Sequence, residues 1–290
     1  MTLLLKPRIH DLAGGLQVRR LLPAAAQRSV GPFVFFDHFG PVELPAEVDS
    51  DVGPHPHIGL ATVTYLFEGR MLHRDSLGTV QEIAPGAVNW MTAGRGIVHS
   101  ERTPDDQRGR ARRLHGLQLW VGLPADQEQC APAFQHVEAA AIPETEPQPG
   151  LRVRVLVGAA FGQVSPVRTA TPTLYLDLAL DAGARVELPP LAEQLALYLP
   201  AGEARLDGTT LPAQQLIVLD AGRAALLEAD APLRCVLIGG AALPKPPAMW
   251  WNFVASERAL IEAAAERWQA DAFDPIPGEH DRIAMPPWRR

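Results

Sequence analysis

The chain has 290 residues, of which 47% are hydrophobic and 20% are charged, and its formal net charge is −7. This length predicts two domains of ~150 residues, each able to bury a core of its own, and the composition excludes an intrinsically disordered chain. Proteins that bind nucleic acid directly need a basic surface that displaces counterions from the phosphates. The acidic charge balance therefore argues against direct binding of DNA or RNA.

The N-terminal apolar run, which ends at Lys6, is too short for the core of a signal peptide, and no other segment approaches the length of a membrane span. The two cysteines, Cys130 and Cys235, are far apart in sequence, which excludes a disulfide framework and a CxxC zinc site. We therefore expect a cytoplasmic protein in a reducing compartment, with no membrane partner.

The first half of the chain contains short segments of alternating apolar residues bounded by glycine and proline, a pattern typical of β-sandwiches and β-barrels. In ATVTYLFEG, the residues Ala61, Val63, Tyr65 and Phe67 fall on one face, and LHGLQLWVGLP follows with the same alternation. These segments predict half-buried strands.

A proline-rich stretch, AIPETEPQPG at residues 141–150, predicts a linker, and alternating segments resume after it. Near the C terminus, Ser256 is a candidate N-cap for a helix. The apolar stripe of that helix comprises Leu260, Ile261, Ala264, Ala265 and Trp268. The sequence therefore predicts an all-β protein of two domains, residues 1–136 and 137–290, with a short C-terminal helix in the second.

The histidines divide the chain unevenly. Eight of the nine lie at or before residue 136, and the ninth is His280. Residues 137–279 supply no imidazole and one thiol, that of Cys235, so they lack the usual ligands of a transition metal. We therefore expect a metal in the first domain only, and a second domain whose interior is filled by the leucines of LYLDLAL and LALYLP.

The segment GPHPHIG places His55 and His57 two residues apart. Because side chains alternate across a strand, this spacing directs both imidazoles to the same face, where both can bind one ion. Taken alone the pair is a weak signal, and a surface pair beside Pro54 and Pro56 is the alternative interpretation.

In MTAGRGIVHSE, His99 and Glu101 repeat the two-residue spacing after a glycine turn. Three neutral imidazoles and one carboxylate leave one or two positions open on a five- or six-coordinate divalent metal. A structural zinc site would instead be closed by four ligands, commonly including thiolates. The two motifs together predict a reactive metal centre rather than the alternative, a hydrogen-bonded polar cluster in the core.

Three segments of the first half resemble the N-terminal signature of the pirin family: VGPFVFFDHFGP, DVGPHPHIGLATVTYLFEGRMLHRDSLG and PGAVNWMTAGRGIVHSE. The C-terminal WWNFVASERALIEAAAERWQADAFDPIPG is similar to the tail of bacterial members. The resemblance implies two cupin barrels, which are double-stranded β-helices of the jelly-roll type, facing each other. It also implies one divalent metal in the first barrel, Fe(II) ahead of other metals, bound by His55, His57, His99 and Glu101.

The resemblance further implies an activity, because several pirin-like proteins are quercetin 2,3-dioxygenases. These enzymes open the heterocycle of a flavonol with O2 and release carbon monoxide. We therefore expect an enzyme with a flavonol and O2 as substrates, in which Glu101 is the catalytic base that accepts the proton of the flavonol 3-hydroxyl group. The alternatives are a non-enzymatic, iron-dependent regulator that binds a protein partner, and a sensor that binds a small molecule without turnover. We expect a monomer.

One position departs from the pattern of the family. Many pirins have a glutamate four residues after the second histidine, where this chain has Ala61. This leaves Glu101 as the carboxylate ligand. Two further histidines, His38 and His73, are interpreted as hydrogen-bonded structural residues, with a position in or behind the pocket as the alternative.

A few large side chains are candidates for the wall of the pocket, although residues of this kind belong to the core more often than to a site. Gln118 and Trp120 share a strand face. The candidates for an apolar wall are Phe33, Phe35, Trp90 and Met91.

Overall fold

The structure is a computed structural model that describes residues 3–12 and 16–287. Strands dominate these ranges, and the α-helix α1 (Arg258–Gln269) follows the last of them. Among the described residues, no helix has the length and apolar character that crossing a membrane would require. The predicted all-β fold with a short C-terminal helix is confirmed.

The strands are short, as expected for a chain with frequent glycine and proline turns. The first twelve are β1 (Leu3–Leu5), β2 (Arg8–Asp11), β3 (Gln17–Leu22), β4 (Phe33–Leu44), β5 (Val52–His57), β6 (Leu60–Glu68), β7 (Met71–Asp75), β8 (Val80–Ile83), β9 (Val88–Thr92), β10 (Ile97–Arg102), β11 (Arg112–Gly122) and β12 (Ala133–Val137).

The remaining strands are β13 (Glu144–Gln148), β14 (Leu151–Val157), β15 (Ala159–Ala160), β16 (Gln163–Val164), β17 (Thr173–Leu180), β18 (Ala184–Leu188), β19 (Gln194–Tyr198), β20 (Glu203–Leu206), β21 (Thr209–Pro212), β22 (Leu216–Val218), β23 (Ala225–Ala229), β24 (Leu233–Gly240), β25 (Ala248–Trp250) and β26 (Phe253–Ala255). Within residues 3–12 and 16–287, single turns of 3-10 helix lie at Asp105–Gln107 and Ala139–Ala141.

The chain forms two compact units, each assembled from separate segments. We call them the histidine unit and the leucine unit. The histidine unit comprises the described parts of His10–Val18, His38–Ala139 and Pro244–Arg290. The leucine unit comprises the described parts of Met1–Ile9, Arg19–Asp37 and Ala140–Leu243. The division of the chain at residue 136 into contiguous domains remains a prediction, and neither unit is a single contiguous segment.

Two large sheets build most of the histidine unit, which also contains the two-stranded sheet β25-β26. The smaller of the two large sheets has the strand order β5-β10-β7-β8, and the larger has the order β12-β9-β6-β11-β4-β3-β2, with β2 to β4 contributing residues to both units. The segment β6 was expected to be half-buried, but every residue from Leu60 to Phe67 is buried. The face of β6 that was expected to meet solvent carries Thr62 and Thr64, and both are buried. The Thr64 hydroxyl is satisfied there by a hydrogen bond that it donates to Gln118 at 2.8 Å.

The leucine unit is built from the sheet β1-β22-β19-β24-β17-β14-β13 and the sheet β18-β23-β20-β21. Its core contains the alternating leucines of β17 and β19, as expected from the sequence. These residues are Leu174, Leu176, Leu178, Leu180, Leu195 and Leu197. The interior of this unit is therefore a packed apolar core.

The proline-rich stretch 141–150 is not a linker. Its residues Glu144–Gln148 form β13, which pairs with β14 at the edge of the seven-stranded sheet. Proline has no N–H to donate, so a strand that contains Pro147 is tolerated at an edge, where one side needs no partner. Proline content alone therefore misled the interpretation of this segment.

The C-terminal helix has the predicted stripe but not the predicted cap. Ile261, Ala264, Ala265 and Trp268 are buried. The N-cap position is Glu257, without a capping side-chain hydrogen bond, because the Ser256 hydroxyl donates instead to Glu128 at 2.7 Å. The helix packs with Ile58 and Val98 in one apolar cluster, and it therefore belongs to the histidine unit.

Candidate metal centre

The two histidine motifs meet on neighbouring strands. Strand β10 pairs with β5 in antiparallel register, with Ile97 opposite His57 and His99 opposite His55. The register shifts between His99 and Glu101, because the three steps of β5 from Val52 to His55 lie opposite two steps of β10. Residues that are directly opposite in a sheet share a face, which brings His55 and His99 together. The extra residue is therefore on β5, whereas β10 keeps a regular register with β7 from His99 to Arg102.

Three imidazoles form a compact cluster. The ring centroids of His55 and His99 are 4.3 Å apart, and His57 lies 5.0 Å from each of the other two rings. One potential ligand atom from each histidine falls within 4.8 Å of the others. All three residues are buried, with exposed fractions of 7%, 1% and 1% for His55, His57 and His99. This is the spacing at which three imidazoles can bind one ion.

Hydrogen bonds fix the orientation of two of these rings. His55 donates from Nδ1 to the Gly53 carbonyl at 2.8 Å, and His57 donates from Nδ1 to the Asn252 carbonyl at 3.0 Å. A carbonyl oxygen can only accept, so the proton of each neutral ring lies on Nδ1 and the lone pair lies on Nε2. Histidine ligands of metals commonly have this backbone partner on their second nitrogen.

The third ring, His99, has a buried Nε2 with no hydrogen-bond partner among the described residues. A buried polar atom without a partner is costly unless something else satisfies it, and a metal ion would do so. Burial lowers the pKa of His55 to about 4. Burial, together with the neighbouring imidazoles, lowers the pKa of His57 and His99 well below the usual value. All three rings are therefore neutral near pH 7, which is the form that binds a metal.

Glu101 is near the cluster but separate from it. The group of ligand atoms within 4.8 Å of one another consists, among the described residues, of the three histidines and does not include this carboxylate. Burial raises the pKa of Glu101 to about 7. A carboxyl group with this pKa exchanges a proton readily near neutral pH, and a cation close by would favour its ionised form.

The larger sheet presents two rows of side chains on the face that carries Trp120. Trp120 lies 5.1 Å from the His57 ring, and across the sheet it is followed by Thr62, Met91 and Phe134. The second row is polar and consists of Gln118, Thr64, Asn89 and His136. Neighbours in a row are directly opposite in the register and therefore share one face. The first row is mainly apolar, and the polar row is hydrogen-bonded within itself, from Thr64 to Gln118 at 2.8 Å and between His136 and Asn89 at 2.6 Å.

The chain matches two sequence profiles. The profile described as "Pirin" matches residues 15–121, and the profile described as "Pirin C-terminal cupin domain" matches residues 175–274. A pirin-like protein of Caulobacter vibrioides is 41% identical over 265 residues, which cover 91% of each chain.

This chain belongs to the pirin family.

Two solved structures extend the comparison to the fold of this pirin. A crystal structure of quercetin 2,3-dioxygenase from Acinetobacter baumannii is similar to this chain with a TM-score of 0.92 and 36% identity, and the match covers 100% of this chain and 96% of that protein. A second structure with that description, from the same organism, has a TM-score of 0.86 and 26% identity over 93% of this chain and 96% of its own. The expected family and the two cupin domains are confirmed.

The structure also decides which predicted wall residues lie near this pirin's histidine cluster. Gln118 and Trp120 share a face as predicted, and Met91 belongs to the row of Trp120. Trp90 precedes Met91 on the same strand, so alternation directs it to the opposite face. Phe33 and Phe35 belong to the leucine unit and do not contribute to this wall.

Several contributors to the site had no signal in the sequence. The carbonyl of Asn252 is 195 residues from its partner His57. On the back of β10, the Ser100 hydroxyl donates to the Glu279 carboxylate at 2.7 Å, and Arg102 pairs with the same carboxylate. The C-terminal segment thus supports the strand that carries His99 and Glu101. Only the folded arrangement reveals these contacts, because no local pattern marks their residue types.

Proposed function

We propose that this pirin is a metal-dependent dioxygenase that cleaves a flavonol such as quercetin with O2, with one divalent metal held by His55, His57, His99 and Glu101. The observation that carries the proposal is the convergence of three buried, neutral imidazoles. His55 and His57 donate from Nδ1 to carbonyls, and His99 Nε2 has no hydrogen-bond partner among the described residues. The similarity to the Acinetobacter baumannii structure supports the choice of substrate class. Iron is the metal we propose, since imidazole and carboxylate ligands suit it.

The bound metal would act as a Lewis acid that makes the flavonol 3-hydroxyl group more acidic. Glu101 is the base in this proposal. Burial raises the pKa of Glu101 to about 7 in the metal-free protein. A bound cation would lower this pKa and keep the carboxylate ionised, which is the form that can accept the hydroxyl proton.

The two rows of side chains on the larger sheet have a different role in this proposal, which is to bind the flat rings of the substrate. Trp120, Met91 and Phe134 offer an apolar row for the ring faces. The adjacent side chains of Gln118, Thr64 and Asn89 offer amide and hydroxyl groups for the ring hydroxyls.

Aerobic turnover of quercetin by the iron-loaded protein, with detection of carbon monoxide, tests the proposal. We expect flavonols with a free 3-hydroxyl group to be cleaved and the matching flavones to remain intact. If no flavonol is turned over with iron, manganese, cobalt, nickel or copper bound, the enzyme proposal is wrong. The iron-dependent regulator with a protein partner then becomes the better account of the same metal centre.

We also propose that the protein acts in the cytoplasm. Cys130 and Cys235 are both free, and burial raises the pKa of the Cys235 thiol, which makes this thiol unreactive. Two unpaired cysteines suit a reducing compartment.

A further inference from the structure

A second line of side chains lies behind one of the three imidazoles. On β7, Asp75 is opposite His99 and His73 is opposite Glu101. The Nδ1 atoms of His99 and His73 are 3.4 Å apart, and His73 Nε2 lies 3.0 Å from Asp75 Oδ2. The three groups therefore form a continuous chain of contacts from a buried carboxylate to the candidate metal ligand.

Asp75 and His73, the two residues behind His99, are both held in place by further contacts. Asp75 has no exposed surface, and its Oδ1 accepts hydrogen bonds from the backbone N–H groups of Leu77 at 2.9 Å and Thr79 at 3.0 Å. The His73 ring stacks on Phe134, with 4.5 Å between ring centroids and 22° between planes. An imidazole is a stronger base than a carboxylate, so the proton in the contact between these two groups lies on His73 Nε2. The Asp75 carboxylate is thus ionised and accepts at both oxygens.

An ionised Asp75 determines where the protons lie along the chain of contacts. Since Asp75 Oδ2 accepts, His73 carries its proton on Nε2, and the Nδ1 of a neutral His73 must then be an acceptor. The proton in the contact between the two rings therefore belongs to His99 Nδ1. This leaves the lone pair of His99 on Nε2, the buried atom without a partner among the described residues.

We propose that His73 and Asp75 are positioning residues that fix the tautomer of His99 and direct its Nε2 lone pair to the metal. The inference rests on the proposed metal site and adds two residues that act through a ligand rather than on the metal. A hydrogen-bonded carboxylate behind a histidine ligand also makes that ligand more basic.

His99 differs from the other two ligands in this respect. His55 and His57 donate to backbone carbonyls, which accept whatever side chains surround them. The tautomer of His99 instead depends on the side chains of His73 and Asp75. Of the three imidazoles, His99 is therefore the one whose tautomer a side-chain substitution can change. The structure thus singles out Asp75→Asn as the informative variant.

In Asp75→Asn, the amide oxygen still accepts the backbone N–H groups at the turn, while the amide N–H₂ donates to His73 Nε2. His73 then carries its proton on Nδ1 and donates to His99, which must hold its own proton on Nε2. The nitrogen chemical shifts of His99 in the metal-free protein report this directly. We expect the Nδ1–H tautomer in the wild type and the Nε2–H tautomer in Asp75→Asn.

Metal affinity is the second readout, measured with Ni²⁺ by competition with a chromogenic chelator. We expect Asp75→Asn to bind Ni²⁺ about 10- to 100-fold more weakly, the usual effect of losing such a partner. The matched control is Asp177→Asn, which alters another buried carboxylate, in the leucine unit, where Asp177 pairs with Arg234. This control should leave the Ni²⁺ affinity unchanged.

A second variant keeps the test valid if Asp75→Asn does not fold. His73→Phe retains an aromatic ring against Phe134 but cannot accept the His99 proton, and we expect a similar loss of affinity. The inference is overturned if wild-type His99 carries its proton on Nε2. It is also overturned if the folded variants keep the wild-type tautomer and bind Ni²⁺ within about twofold of the wild type. If the wild type binds no metal, the proposed metal site is wrong. The tautomer of His99 is measured without metal, so it tests the positioning role of His73 and Asp75 separately from the metal site.

Discussion

The two units have the same kind of architecture and opposite interiors. Each combines a seven-stranded sheet with a four-stranded sheet. In the leucine unit, the strands β17 and β19 direct leucines inward, and these fill the core. In the histidine unit, the strands β5 and β10 direct His55, His57 and His99 to one place. The comparison shows that two units of the same architecture differ in the residue types at their inward positions, which are leucines that fill a core in one and three imidazoles able to bind an ion in the other.

The largest expected effect comes from His57→Ala, which removes one of three converging imidazoles. We expect the affinity for iron to fall by at least about 100-fold, since losing even an outer partner of a ligand costs 10- to 100-fold. His280→Ala is the control, because His280 is exposed in the C-terminal segment. Metal analysis after dialysis measures the difference. Full metal content in His57→Ala would show that the imidazole cluster of the histidine unit does not bind the metal.

Glu101→Gln should separate catalysis from metal binding. The amide keeps the size of the side chain but cannot accept the substrate proton, so we expect turnover of quercetin to fall roughly 10²- to 10⁴-fold while much of the iron remains. Steady-state kinetics and metal analysis on the same sample measure both. A fully active Glu101→Gln variant would show that this residue is not the base.

A substitution in the core of the leucine unit should lower stability and leave metal binding unchanged. Leu176 is fully buried in its core, so Leu176→Ala should lower the free energy of unfolding by about 2–5 kcal/mol. The metal content of the folded protein should not change, because the imidazole cluster belongs to the histidine unit. Denaturant unfolding and metal analysis check the two halves of this prediction. Loss of metal in the folded variant would contradict the division of tasks between the units.

A smaller effect is expected in the pH dependence of metal affinity. Because burial raises the pKa of Glu101 to about 7 in the metal-free protein, a metal must displace its proton at lower pH. His55, with its pKa lowered to about 4, competes only in more acidic solution. The apparent affinity should therefore fall about tenfold per pH unit between pH 7 and pH 5, and level off above pH 7.

Glu101→Gln is the control for this measurement, since it has no proton to displace at that position. Its affinity should vary much less between pH 5 and pH 7. An equal slope in both proteins would show that Glu101 does not bind the metal.

The sequence could predict the ligand motifs because they depend on local geometry. The two-residue spacing in HPH and HSE directs side chains to one face of a strand wherever that strand lies. The partners of these ligands depend on tertiary contacts, as the Asn252 carbonyl and the His73–Asp75 pair show. His73 was interpreted as structural, with a position behind the pocket as the alternative, and the structure places it against His99.

The errors of the sequence interpretation have the same origin. Residues 141–150 have the composition of a linker, and the neighbouring strand β14 makes them an edge strand. Ser256 has the right residue type for an N-cap, but Glu128 competes successfully for its hydroxyl. In both cases a contact that is distant in sequence overrides a local preference, and no local pattern contains that information.

The most direct test of the account is a crystal structure of the iron-loaded protein with anomalous scattering recorded at the iron edge. We expect one peak, in the histidine unit, within about 2.0–2.3 Å of Nε2 of His55, His57 and His99 and of a carboxylate oxygen of Glu101. The leucine unit should show no peak. A peak in the leucine unit, or an iron bound without the three imidazoles, would contradict the central claim.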